Sequence, residues 1–278
     1  MSATQALPAA AAPEHPLFTG GATQLGVLRS EWTKLWSLRS TRWSLLFAFV
    51  TMAGLGPLIA AVTMGRWGRL SLHERVTFDP INTALGGYHL AQLATGVLGV
   101  LVISGEYSTG QIRSTFMAVP RRLPVLWAKA ATFAGITLVL TLLASVIAFF
   151  VSQAILKQHH VNVSIGHAPA LRAVIGTGLY MVVLGVFALT LGALVRNTAG
   201  GIAIFAGVLF VLPGLAHVLP ASTFNAINPY LPSNAGSDVL SNTTDPGMLA
   251  PWSGFAVFCA YAGVAFLASA FLLVRRDA

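Results

Sequence analysis

Eight carboxylates, three lysines and seven histidines are the side chains of this sequence with the chemistry to hold a coupling ion, a nucleotide, a metal or a proton. The acids are Glu14, Glu31, Glu74, Asp79, Glu106, Asp238, Asp245 and Asp277. A transporter driven by protons or sodium usually keeps an ionisable group at membrane depth, where it binds the coupling ion despite the desolvation cost. None of these acids falls in the apolar runs drawn below, which argues against an ion gradient as the energy source, although backbone carbonyls also bind sodium in some transporters. Lys34, Lys129 and Lys157 all lack the preceding glycine of the Gly-x-x-x-x-Gly-Lys-Ser/Thr loop that cradles nucleotide phosphates. The chain is therefore expected to carry no cofactor of its own, and active transport would draw its energy from another polypeptide. His159, His160 and His167 share one loop, but their spacing fits no standard zinc arrangement and no acid lies near. His217 could serve an intramembrane protease, yet no span carries a nucleophile motif with a matching base. No catalytic or metal-binding set is expected.

The elements that must position these residues are membrane helices. Apolar residues make up 55% of the 278 and charged residues only 9%, too few to solvate a globular surface of this size. Apolar runs of about 20 residues, the length that crosses a hydrocarbon core of roughly 30 Å, recur along the chain. Backbone in lipid must satisfy its own hydrogen bonds, so spans are helices or a closed barrel. These runs are too long for barrel strands and lack their alternation. The expected spans are residues 43–64, 85–103, 130–151, 173–195, 199–219 and 255–274, giving an all-α polytopic membrane protein with six transmembrane helices. The single cysteine, Cys259, lies in the last of them.

With the amino terminus in the cytoplasm, Arg29, Lys34, Arg39, Arg42, Arg113, Arg121, Arg122, Lys129, Arg196, Arg275 and Arg276 lie inside. Arg66, Arg69, Arg75, Lys157 and Arg172 lie outside. The excess follows the positive-inside rule and puts both termini in the cytoplasm. It also accounts for the net charge of +8 without nucleic acid as a partner.

Residues 1–23, rich in Ala and Pro and free of Lys and Arg, read as a disordered cytoplasmic tail. Residues 24–42 read as an amphipathic helix in the headgroup layer. Leu25, Leu28, Trp32, Leu35 and Trp36 gather on one stripe, with Glu31 and Lys34 opposite. A solvated basic lead-in is the alternative.

Between the second and third spans, the loop 105–124 predicts a short helix from about Thr109 that stops before Pro120, with Ile112, Phe116 and Val119 on one side. Such a helix could plug a groove on a soluble partner or simply lie on the membrane. On the second span, Tyr88, Gln92, Thr95 and Gly99 form a small and polar stripe, suited either to helix packing or to contact with cargo. Pro213 predicts a kink in the fifth span. The loop 220–251 is long, with Phe224 to Leu231 apolar enough to dip into the membrane edge.

Three segments together carry a resemblance. Glu106-Tyr107-x-x-Gly110-x-Ile112-Arg113 follows the second span, then Pro120-Arg121-Arg122 and Lys129 lead into the third. Arg29-x-Glu31-Trp32-x-Lys34-Leu35 precedes the first span, and Asn228-Pro229-Tyr230-Leu231-Pro232 lies in the last outer loop. In this order around six spans, they resemble the permease subunits of type-2 ATP-binding-cassette (ABC) exporters. The resemblance covers nearly everything after Thr23.

It implies a homodimer or heterodimer of six-span subunits bound to separate ABC ATPase subunits, which hold ATP and magnesium. The amino-terminal helix with Glu31, Trp32 and Lys34 would be the interface helix. The loop after the second span would contain the coupling helix, with Glu106, Tyr107, Gly110, Ile112, Arg113 and Phe116 as coupling residues. Tyr88, Gln92 and Thr95 would be a candidate substrate path, since the second and fifth spans line the dimer seam in such exporters. The rival readings are a membrane-embedded enzyme or protease and a non-transporting immunity or scaffold protein.

Overall fold

The computed structural model describes residues 23–119, 121–242 and 247–275. The expected tail therefore lies outside the described residues, apart from Thr23. The side chain of Thr23 caps the first helix by accepting from the Gly26 N–H at 3.2 Å.

All regular elements among the described residues are helical. In chain order the α-helices are α1 Gln24–Ser37, α2 Arg39–Gly65, α3 Leu72–Val76, α4 Pro80–Leu85, α5 Tyr88–Ser108, α6 Gln111–Ala118, α7 Arg122–Leu156, α8 Ala168–Val195, α9 Thr198–Ala206, α10 Leu212–Ala216, α11 Ala221–Ile227, α12 Pro232–Ser237 and α13 Pro251–Arg275. Six helical stretches are long and apolar enough to cross a membrane: α2, α5, α7 with its 3₁₀ extension to His159, α8, α9 through α10, and α13. Each coincides with one expected span.

The boundaries differ where tertiary packing extends a helix past its apolar run. α7 has 35 residues, about 52 Å at 1.5 Å per residue, well beyond the roughly 30 Å of a hydrocarbon core. Lys129 consequently sits within the helix rather than ahead of it. α5 starts at Tyr88, because Gly86 and Gly87 separate it from α4, and runs on to Ser108. Glu106 thus belongs to a helix that spans, which corrects the expectation that every carboxylate lies outside the spans. The expected interruption at Pro213 takes the form of a π-helical turn over Gly207–Val211, just before the residue whose ring nitrogen cannot donate.

α8 is the axis of the bundle and packs on α5, α7, α9 and α13. Glycine makes its contact with α5 close. A Cβ on Gly99 would lie 2.5 Å from the Gly185 carbonyl oxygen, and one on Gly192 would lie 2.9 Å from that of Val100. Small residues bring helix backbones together in this way where lipid offers no hydrophobic drive between helices. The same face is fixed in register by the Tyr180 hydroxyl, which donates to Gln92 Oε1 at 2.8 Å.

The described residues between α10 and α13 are folded. Leu231, Ala235, Val239 and Leu240 are buried, and Gly236 lies against the Tyr180 and Phe258 rings. The inserted part is Leu231 to Leu240, C-terminal to the stretch expected to dip in. It carries Asp238 into a buried position, although the residue lies between the fifth and sixth long apolar helices and not within one.

Replacing Gly99 with Val should force α5 and α8 apart and cost at least about 1–3 kcal/mol, read as a lowered thermal midpoint in detergent. Gly54→Ala, whose added Cβ meets nothing within 4 Å, should leave the midpoint nearly unchanged.

Candidate functional site

The ends of several helices meet at the end of the bundle where α1 and α6 lie. α1 presents Val27, Glu31 and Leu35 inward at steps of four, one stripe of the helix. Trp32 and Trp36 point outward with their rings 5.9 Å apart. Leu38, in an extended conformation, turns the chain into α2. α5 passes into α6 through Gly110 at φ +71, a left-handed turn that favours glycine.

Around this junction two acids and two lysines form one cluster, with Glu31, Glu106 and Lys129 buried and Lys34 partly exposed. Lys129 Nζ on α7 donates to Glu31 Oε2 at 2.6 Å and to Glu106 Oε1 at 2.8 Å. Lys34 Nζ donates to Glu31 Oε1 at 2.8 Å, Glu106 Oε1 at 3.0 Å and Thr115 Oγ1 at 3.2 Å. The side chains of Lys129 and Glu31 are each 2% exposed. Burial at that level is tolerated only because the charges are paired and hydrogen-bonded, and deleting one partner strands the other in low dielectric. The cluster ties together α1, α5, α6 and α7. Burial alone would raise the Glu31 carboxyl, but the Lys129 and Lys34 ammonium groups outweigh it and hold it below its usual 4.5. For Lys34, burial works downward, yet Glu31 and Glu106 prevail and keep it above its usual 10.5.

Neighbouring contacts extend the junction. The Arg196 guanidinium, at the left-handed turn that ends α8, lies 5.1 Å above the Tyr107 ring. Ser104 and Thr198 share a hydroxyl hydrogen bond of 2.9 Å that ties α5 to the start of α9. Arg122 Nη1 donates to the Leu273 carbonyl at 3.0 Å, anchoring the end of α13.

Of the residues picked out in the sequence, Glu31, Lys34, Glu106 and Tyr107 come together here, with Gly110 at the turn. Trp32 stands apart on the outer face of α1. α6 forms, but its apolar side faces its own chain. Ile112 is buried, and Phe116 and Val119 pack against Val27, Val125 and Ala128. This corrects the expectation that these side chains plug a partner's groove. The exposed face is Gln111, Arg113, Ser114 and Met117, with Met117 78% exposed. Lys129 and Thr115 were not singled out as site residues. The available signal for Lys129 was a lone lysine at the start of a long apolar run, with two acids otherwise unmatched.

The stripe on α5 lies nearer the other end of that helix. Gln92 and Thr95 are buried against α8, and Tyr88 packs edge-on to Tyr180, so the geometry of these residues is that of a packing face. Among the described residues no group of three or more His, Cys, Asp or Glu is placed to hold a metal. His159 lies against Trp67 and His217 against Phe224.

No protein-family model matches the sequence, and no curated protein matches it significantly.

Lys129→Met should leave Glu31 and Glu106 to share Lys34 alone and destabilise the fold by about 3–5 kcal/mol, measured by thermal or denaturant unfolding in detergent. A second prediction follows from Glu31. Its pKa is depressed by folding, so its contribution is present above the unfolded value and lost as pH falls from 4.5 through the folded one. The thermal midpoint should therefore drop steeply below about pH 4.5, and Glu31→Gln should flatten that drop.

Proposed function

We propose that this chain is the membrane-spanning permease subunit of an ATP-driven exporter of the type-2 ABC class. It would lie in the cytoplasmic membrane with both termini inside and move an amphipathic drug, antibiotic, peptide or lipid outward. ATP and magnesium are held by separate ATPase subunits, and a second permease copy, identical or related, completes the pathway.

The observation that supports this reading best is the charge cluster of Glu31, Lys34, Glu106 and Lys129. It joins a short helix with an exposed polar and cationic face to the ends of two spans and to the amino-terminal helix. Force applied to α6 would be passed through paired charges to α5 and α7, not dissipated in a loose loop. The presence of Glu106 within α5 removes one argument against ion coupling, but both lysines already occupy its Oε1. The partner surface is the exposed side of α6, with Arg113, Ser114 and Met117, while Glu106, Tyr107, Gly110, Ile112 and Phe116 hold that helix in place. Closure of the ATPase pair on ATP then shifts the population from inward-open to outward-open spans.

Arg113→Glu combined with Met117→Asp places two acids on this face without touching the cluster. In vesicles containing the chain and its ATPase, the pair should lower export and permease-stimulated ATP turnover at least about ten-fold, a loss of about 1.4 kcal/mol or more at the interface, while the thermal midpoint holds. Unchanged turnover and export would remove α6 from the coupling role. Transport by the chain alone on a pH or sodium gradient would refute the reading outright.

A further inference from the structure

A cavity of about 300 Å³ opens between the α1–α2 elbow and the last turns of α5. One side of its rim is apolar, with Leu38 and Leu101 exposed on it and Val102 beside them, and the rest carries the exposed polar side chains of Ser37, Ser40, Thr109 and Gln111. Its inner wall carries Lys34, Glu106 and the other members of the charge cluster. The positions on α5 that line it recur at helical steps, so one face of that helix forms the wall.

Hydrogen-bond capacity at this wall is unevenly used. All three Lys34 N–H groups are engaged, with Glu31, Glu106 and Thr115. Both Glu31 oxygens accept from lysine, and Glu106 Oε1 accepts from two. Glu106 Oε2 is buried and has no hydrogen-bond partner among the described residues. Buried carboxylate oxygens are rarely left so, because the desolvation cost is uncompensated. The two carboxylates and two ammonium groups sum to zero charge, so a cation approaching Oε2 meets no net positive centre. An anion would instead face both carboxylates in the same wall.

We propose that this cavity binds the protonated primary amine of an amphipathic molecule, its ammonium at Glu106 Oε2 and its apolar tail passing the Leu38 and Leu101 rim into the adjoining lipid. A charge-assisted N–H bond to a carboxylate is roughly twice as strong as a neutral one, which favours an amine over an alcohol of equal length. Both a free cationic amphiphile and a membrane aminolipid offer this chemistry. The site goes beyond the exporter reading and needs no ATPase, so its test stands or falls separately.

The test is binding of radiolabelled dodecylamine to the full chain in phosphatidylcholine nanodiscs, whose choline headgroups carry no N–H. Saturable binding is expected, with dodecanol and dodecanoic acid competing at least about ten-fold more weakly. A Cβ added at Gly105, which lines the cavity, meets nothing within 4 Å. Gly105→Leu should therefore fold normally, fill the space and abolish saturable binding. Glu106→Gln, if it folds, should weaken binding by about ten-fold or more. Equal competition by dodecanol, or undiminished binding in Gly105→Leu, overturns the proposal. Repeating the titration with phosphatidylethanolamine in the discs separates the sources. Competition by that lipid assigns the site to an aminolipid, and its absence assigns it to a free amphiphile.

Discussion

Two carboxylates and one ammonium group removed from water, with a second ammonium group half-buried beside them, can persist only as a set, and the rest of this end of the molecule is arranged around that constraint. Desolvating any one of them unpaired would cost several kcal/mol. The set is completed only if α1 lies against α5 and α7, since Glu31 and Lys34 come from α1, Glu106 from α5 and Lys129 from α7, and α6 adds the Thr115 hydroxyl to it. The pairing specifies where the amino-terminal helix docks, something its apolar stripe alone would leave free to slide on a lipid-facing surface. The cluster thus acts as a register device between elements that apolar packing would hold only loosely.

The remainder of the bundle gives the cluster a firm frame. Close glycine contacts fix α5 to α8, and Tyr180 with Gln92 sets their register. The Ser104 and Thr198 hydroxyls continue the link to α9, which leads into the π-helical turn. Displacement of α6 would therefore be felt along α5 and at the foot of the fifth span. Beyond the π-helical turn, Ala216 is the one buried residue of α10. Charge pairing at one end and glycine packing in the middle together make the coupling reading mechanically coherent.

The spans were legible because hydropathy and length determine them with little help from tertiary structure. Their ends were not. Hydropathy stops a span where polar residues begin, but a helix continues while its backbone hydrogen bonds and packing are satisfied, which is why Glu106 and Lys129 fall inside helices. Periodicity grouped Ile112 and Phe116 on one face of α6, with Val119 packing from just beyond its end, but the pattern says which residues are apolar, not what covers them. Here the cover is α1 and α7 of the same chain. The stripe expected on α1 grouped Leu35 with Trp32 and Trp36, but Leu35 lies on the buried side with Glu31. The burial of Glu31 was not readable, because it depends on a lysine 98 residues away in sequence.

The central claim is that paired charge, not apolar contact alone, binds the amino-terminal helix and α6 to the spans. A double-mutant cycle on Lys34 and Glu106, with Lys34→Met and Glu106→Gln singly and together, measures it directly through unfolding free energies in detergent. The account predicts strong non-additivity, toward the upper end of the roughly 0.5–3 kcal/mol seen for residues in one network. Effects that add to within about 0.5 kcal/mol would show the two side chains to be energetically independent and would contradict it.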